Sequence, residues 1–483
     1  GHTQTVGALT NAGTVTLGTG GVLSSGVLTN SNSLNIAGGT LNLAAGGVST
    51  ATGGLTGAGT LNINGGDLAV SGANSGLSGQ TLIVSGASAT LNGAGTLGSS
   101  AITVLGDLNL NGANAALANV LSGTGDINTN AAVTLTGTNS FSGAHHIGAA
   151  GTLSVGQASN LGASTATVNL DTATSNLVLN GLSGAVANAL SGVADSTVDI
   201  NNGANVSLTG NNSGFLGQYA LADSSKLTVA STNNLGAASS VALAGAQDIL
   251  ALSGFNGIFG NTVTGSGILQ VTDSSDVTLN NTNSVDNAVT VDITDATLSL
   301  ADIALFDHTL TGSGTLNVAK NDASTAFDFG SSVGGAFSGI VNLTNSTFAL
   351  NAGNTAALAN ATLKLSANNV TTVGTDDRTL HGLDLSGGTL IFDGAAPQSQ
   401  ASGVVTVTDL ALNSGTISVT GTDSWTNQNP VLAPNLSILD QDRGDIMLAL
   451  INAGTVSGAA SGLNLMINGT TVTDTAQGVV SAI

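Results

Sequence analysis

The chain has 483 residues, with 5 Lys and Arg set against 27 acidic residues and a net charge of −22. That balance excludes a general binder of nucleic-acid backbones, whose affinity comes from basic side chains that neutralise phosphates. There is no cysteine, which suits a protein threaded through an oxidising compartment where stray disulfides would block passage, and no apolar run approaches the roughly 20 residues of a membrane-spanning helix.

All 27 acidic residues are aspartate, and strong helix formers are nearly missing, whereas Asn, Asp, Thr, Ser and 69 Gly abound. This argues for strands joined by tight turns rather than helices. The sparse charge resembles that of disordered tracts, but 41% of the residues are hydrophobic and they alternate in strand-length runs. The chain opens Gly1-His2 with no visible leader, as expected of a mature exported segment.

Residues 1 to about 120 carry a short period. Thr40-Leu41-Asn42-Leu43 recurs as Thr60-Leu61-Asn62-Ile63, Thr81-Leu82-Ile83-Val84 and Ala101-Ile102-Thr103-Val104, at steps of 20, 21 and 20 residues. Asp67-Leu-Ala-Val and Asp107-Leu-Asn-Leu stand two such steps apart. A coil of this size, holding several short strands, is one turn of a parallel β-helix whose side chains form ladders. Roughly 23 turns at about 4.8 Å each predict a rod about 110 Å long.

From Leu121 the unit lengthens. Gly-Thr-Gly-Asp-Ile is followed by Val133-Thr-Leu-Thr-Gly-Thr-Asn-Ser-Phe-Ser-Gly and by Gly151-Thr-Leu-Ser-Val. Versions of this unit return near 205–237, 265–300 and 312–350, and Leu135, Leu208 and Leu279 are 73 and 71 residues apart. Such self-similarity marks a solenoid, and the long repeat is expected to hold three to four turns. Asn35, Asn42, Asn62, Asn109, Asn317 and Asn342 each lie between two aliphatics, as do Thr16, Thr103, Thr134, Thr228, Thr278, Thr290 and Thr406. They are expected on the outside, stacked and hydrogen-bonded between turns.

From 271 to 329 nine aspartates face only Lys320, and Phe306, Phe327, Phe329, Phe337 and Phe348 gather there or just beyond. The phenylalanines read as core stacking and the aspartates as exposed. The candidate ligand-binding and self-association face is drawn from this region: Asp273, Asp276, Thr278, Asn280, Asn281, Asn283, Asp286, Asp292 and Asp295. Strand patterning continues through 374–430, and Trp425, Pro430 and Pro434 mark a break. Two regions are expected, a β-helix rod over 1–430 and a denser apolar cap over 431–483 that covers the last open turn.

The unit Gly-x-Gly-x-Leu, Val-Thr-Leu-Thr-Gly-x-Asn-x-Phe-Ser-Gly, Gly-Thr-Leu-x-Val resembles the passenger-associated repeat of type V autotransporters. Its best copy is 123–155. Leu383-Asp-Leu-Ser-Gly-Gly-Thr-Leu-Ile-Phe-Asp is similar to the segment before the cap of AIDA-type passengers. Residues 436–470 are similar to the start of the stacking, or autochaperone, region in EhaB- and UpaC-like adhesins. The resemblance implies an all-β chain wound as a right-handed, single-stranded parallel β-helix. It implies a place on a bacterial cell surface, reached through the periplasm and outer membrane by way of a C-terminal β-barrel outside this segment. It also implies self-association, biofilm formation and binding to host extracellular matrix proteins or glycans. The Gly-Asp-Ser-Gly segment of serine-protease passengers is absent.

The other reading is a β-helix polysaccharide lyase or hydrolase. Its hints are Arg378 beside Asp376 and Asp377, and Asp295 with Asp322 as neighbours across turns. A hydrolase would need two carboxylates roughly 5–9 Å apart. The expectation is that the chain is no enzyme, with no catalytic residue, no cofactor and no metal. Asp440-Gln-Asp-Arg-Gly-Asp has its glycine one place early for a calcium loop. His145 and His146, adjacent on a strand, point to opposite faces and cannot chelate together. Arg443-Gly444-Asp445 is the tripeptide that integrins read, and it reads first as a turn.

Overall fold

A computed structural model describes residues 1–393 apart from 53, 113–114, 281–284, 374–375 and 377, together with the strands Val405–Thr420, Leu436–Ile438, Gly462–Ile467 and Thr470–Val472. The described residues are nearly all-β, 53% strand and 4% helix, wound as a parallel β-solenoid of about 18 turns. The chain divides into two compact units, Gly1–Leu250 with Asn261–Gly265, and Ala251–Gly260 with Ser266–Ile483. The expected step of about 20 residues holds early and then lengthens. Asn62 lies 20 residues after the Asn42 that it bonds, and Asn342 lies 25 after Asn317. No described helix is long and apolar enough to cross a membrane.

In the first unit a turn is made of three short strands, as in Leu121–Gly123, Asp126–Thr129 and Ala132–Leu135. Each strand pairs in parallel with its counterpart in a neighbouring turn. Alternate side chains point inward, so Leu41, Leu43, Leu61 and Ile63 stack directly and are buried. Corners need close backbone approach. A Cβ on Gly125 would stand 2.0 Å from the Gly106 carbonyl oxygen, and one on Gly143 would stand 2.1 Å from that of Gly125. Other corners need the left-handed region, where Asp195, Asn202, Asp223, Asp273, Asp295, Asp302, Asn345 and Asn368 all have positive φ. Short Asp and Asn side chains bond locally and tolerate that region. This gives a physical reason for aspartate in place of glutamate at these corners.

The alignment of Thr81-Leu82-Ile83-Val84 with Thr60-Leu61-Asn62-Ile63 is displaced by one residue. Gln80 pairs with Thr60 and Ile83 with Ile63. A slip of one residue exchanges the two faces, so Thr81 is buried and Leu82 is turned outward. The Thr81 hydroxyl is accommodated because its Oγ1 lies 3.2 Å from Ser100 Oγ, which donates to the Leu97 carbonyl.

The long repeat is also more specific than three to four turns. Leu135 pairs onward to Val155, Leu179 and Ile200, which completes three turns. Leu208 lies eight residues further, in Asn205–Leu208, a strand of the next face. One copy therefore spans three turns plus one face, and Leu135, Leu208 and Leu279 lie in three different sheets.

In the second unit, Asn256–Ile258, Asp276–Asn280, Thr297–Ala301, Thr315–Ala319, Ile340–Thr344 and Thr362–Leu365 form one parallel face. Phe306, Phe327, Phe329 and Phe348 pack edge-on or stacked inside, with ring centres 5.0–6.4 Å apart, and Phe337 is buried as well. The strands Arg378–Asp393 and Val405–Thr420 run side by side with their register shifted between Leu385 and Thr389. Beyond them Gly462–Ile467 pairs with Val405–Thr420, and Thr470–Val472 folds back on it antiparallel. Trp425, Pro430, Pro434 and the stretch 440–445 lie outside the described residues, and with them most of the expected cap.

Candidate interaction face

The outward row of the second unit is built by register alone. Ile258, Thr278, Ser299, Asn317, Asn342, Lys364 and Asp384 follow one another on successive strands. Asn342 Nδ2 donates to Asn317 Oδ1 at 3.0 Å, and Ser366 Oγ donates to Asn342 Oδ1 at 2.6 Å. The row ends in an ion pair, Lys364 Nζ to Asp384 Oδ2 at 3.5 Å. A primary amide has two N–H groups and two acceptor sites. A ladder bond uses one donor of one amide and one acceptor site of the next, so each keeps capacity that can face another molecule.

The structure divides the sequence-predicted residues among three places. Asp276, Thr278 and Asn280 alternate outward along one strand and share this face. Asp292 belongs to a different sheet, where its carboxylate accepts from Gln270 Nε2 at 3.1 Å and Thr311 Oγ1 at 3.0 Å. Asp286 precedes that same sheet, its carbonyl accepting from Val289 N–H. Asp273 and Asp295 occupy the corner between the two sheets. Asp273 accepts from Ser253 Oγ at 2.5 Å, and the Asp295 carbonyl accepts from Ser274 N–H. Asn281 and Asn283 lie outside the described residues.

The first unit carries longer ladders. Asn128 donates to Asn109 at 2.8 Å, Asn109 to Thr90 at 3.1 Å, and Thr90 to Asp67 at 2.7 Å. Asn130, Asn111 and Asn92 form a parallel row, exposed at Asn130 and Asn111 and half-buried at Asn92. The outward placement of Asn42, Asn62, Asn109, Asn317 and Asn342 follows the sequence expectation.

A second set of asparagines was not anticipated. Asn119, Asn139, Asn160, Asn188, Asn212 and Asn261 are buried at a corner of the first unit. Asn139 Oδ1 accepts from Leu121 N–H at 2.9 Å, and its Nδ2 donates to the Asn160 carbonyl at 2.7 Å. Asn212 does the same for Leu190 N–H and the Asn234 carbonyl. These side chains hold corner backbone groups that the strand ladders leave unpaired. The signal in the sequence was the Thr-Asn-Ser-Phe-Ser-Gly segment itself, in which Asn139 lies two residues before the buried Phe141.

His145 and His146 do face opposite ways. His146 Nδ1 lies 3.0 Å from Asp171 Oδ2 at the surface. His145 is fully buried, edge-on to Phe141 at 4.7 Å between ring centres, with no hydrogen-bond partner at either ring nitrogen. Burial, with a smaller contribution from His146, lowers its pKa to about 3. Among the described residues no three His, Asp or Glu side chains group as metal ligands would. Asp295 precedes Thr297–Ala301 and Asp322 follows Thr315–Ala319, so these two carboxylates stand at opposite ends of paired strands rather than as neighbours. Arg378 bonds Asp376 at 3.0 Å and the Leu350 carbonyl at 2.8 Å.

No known family model matches the chain. Two proteins of Escherichia coli strain K12 are similar to part of it. The uncharacterized lipoprotein YdeK is 31% identical over 196 residues, 37% of this chain and 15% of that protein. The uncharacterized protein YuaQ is 31% identical over 223 residues, 45% of this chain and 16% of its own length. The chain thus aligns with about a sixth of each relative, and the likeness reaches less than half of the chain itself.

Proposed function

We propose that this chain is a stretch of the surface passenger of an AIDA-type autotransporter adhesin. In this reading it holds bacterial cells to one another, as in a biofilm, and to matrix proteins or glycans of a host through its ladder faces. The observation that carries the reading is the row Thr278–Ser299–Asn317–Asn342, neutral and in register on a chain of net charge −22. An extended repeat of weak donors and acceptors lets many bonds act together. The β-solenoid agrees with a passenger, and the name lipoprotein carried by YdeK agrees with a place in the cell envelope. The separation of Asp295 from Asp322 and the engagement of Arg378 favour an interaction protein over a glycan-cleaving enzyme. Display of the chain on a non-adherent bacterium tests this, scored by settling and by retention on immobilised matrix proteins. Settling is expected, and a variant with Thr278, Ser299 and Asn317 changed to lysine should settle less. No settling and no retention would refute the adhesive reading.

A further inference from the structure

Asn-Gly occurs seven times in the chain, with its asparagine at 64, 92, 111, 180, 202, 256 and 468, and the last lies outside the described residues. This dipeptide carries a latent reaction, in which the glycine main-chain nitrogen attacks the asparagine side-chain amide. Glycine has no Cβ to obstruct the approach. The reaction needs an amide free to swing onto that nitrogen, and a nitrogen whose hydrogen is not held by another group. Five of the six described steps lack one or the other. Gly181 N–H donates to the Asn201 carbonyl at 3.0 Å, and Gly203 N–H to the Asp223 carbonyl at 3.1 Å. Asn111 donates to Asn92 at 3.5 Å and accepts from Asn130 at 3.1 Å, so both side chains belong to a ladder. Asn256 Nδ2 donates to the Gly254 carbonyl at 3.3 Å. Asn64 is different. It is exposed at the corner between Thr60–Ile63 and Gly66–Val70. Among the described residues neither its amide nor Gly65 N–H has a hydrogen-bond partner.

We propose that Asn64 is a site of spontaneous deamidation, with water as its co-reactant. Gly65 N gives up its proton to hydroxide and bonds to Asn64 Cγ. The Cγ–Nδ2 bond breaks, and ammonia leaves with a proton from water. Water then opens the cyclic imide. Cleavage at Cγ leaves aspartate at position 64, and cleavage at the main-chain carbonyl leaves isoaspartate, whose main chain is longer by a carbon. Either product replaces a neutral amide, which donates and accepts, by a carboxylate, which only accepts. The surroundings make that charge conspicuous. The strands stacked on one side of this corner run from Val22–Asn30 through Thr40–Leu43, Thr60–Ile63, Gln80–Ile83 and Ala101–Val104 to Leu121–Gly123. They hold no ionisable side chain, and Asp67 and Asp107 are the two aspartates before residue 126. Conversion therefore adds charge at the border of a neutral face, in one direction and without an enzyme.

The purified chain, held folded in mildly alkaline buffer and mapped by peptide mass spectrometry over time, shows how much amide remains at each step. A sample unfolded in guanidinium gives the rate of each step without structure. In the folded chain Asn64 is expected to convert within about tenfold of its unfolded rate, and the other five described steps about a hundredfold more slowly than theirs. An acidic form should appear on anion exchange. Asn64→Gln should lack it, because closure would need a larger and slower ring, and Asn64→Asp should elute with it from the start. The mapping of the unaltered chain stands whether or not either variant folds. Retention of the amide at 64 in the folded chain while the unfolded chain converts would overturn the proposal. So would conversion of any of the other five ahead of Asn64, or an undiminished acidic form in folded Asn64→Gln.

Discussion

At position 145 the chain places an imidazole where an aliphatic would stack, between Ile127 and Val168 on the neighbouring strands. Its pKa, held near 3 by burial, means that the unfolded chain takes up a proton between pH 6.5 and about 3 and the native one does not. Stability is therefore intact above pH 6.5 and falls as pH drops through that window, by up to about 1.4 kcal/mol per pH unit from this group. His145→Leu should raise the denaturation midpoint at neutral pH, because two unpaired buried nitrogens disappear, and the gain should widen with acid. Urea melts at pH 7.5 and 5 check this, and an equal gain at both would contradict the titration argument. Glycine makes a second prediction at this scale. Gly125→Ala puts a Cβ against the Gly106 carbonyl and should cost about 1–3 kcal/mol, whereas Gly13→Ala, in open space, should change the melting temperature little.

Within a single turn, the two kinds of asparagine should behave differently on mutation. Asn212→Leu leaves Leu190 N–H unpaired inside, at about 1–3 kcal/mol, and removes the donor to the part-buried Asn234 carbonyl as well. Asn128→Ala breaks one part-buried ladder bond and should cost about 1 kcal/mol or less. Thermal melts of the two variants should rank them in that order, and equal losses would mean that the corner row is not structural. The outward row was legible in the sequence because period two places a polar residue between aliphatics. The inward row was not, since a corner has no period and Asn reads there as an ordinary turn residue. The slip at Thr81 has a similar origin. Thr-Leu-Ile-Val offers apolar residues on both faces, so pattern alone does not fix which set is buried, and the Thr81–Ser100 contact decides it. The candidate site fared likewise. Asp276 and Asp292 are near in sequence, but a corner carries the chain from one sheet to the next between the two, and composition does not report corners.

For the molecule as a whole, a charge of −22 opposes self-contact over a Debye length of about 8 Å at physiological salt. Association through neutral ladders should accordingly strengthen as salt is raised from low to moderate. Sedimentation velocity on the purified chain measures it, and a chain that stays monomeric at high concentration under every condition would argue against homotypic contact. The offset between repeat and turn bears on recognition. A copy of the long unit returns after three turns plus one face, so Leu208 is carried to a different side from Leu135. A receptor specific for the unit itself would find it re-aimed by about a third of a circumference from one copy to the next. In the adhesive reading, the two copies that lie in the first unit have no common front and would meet neighbours approaching from different azimuths.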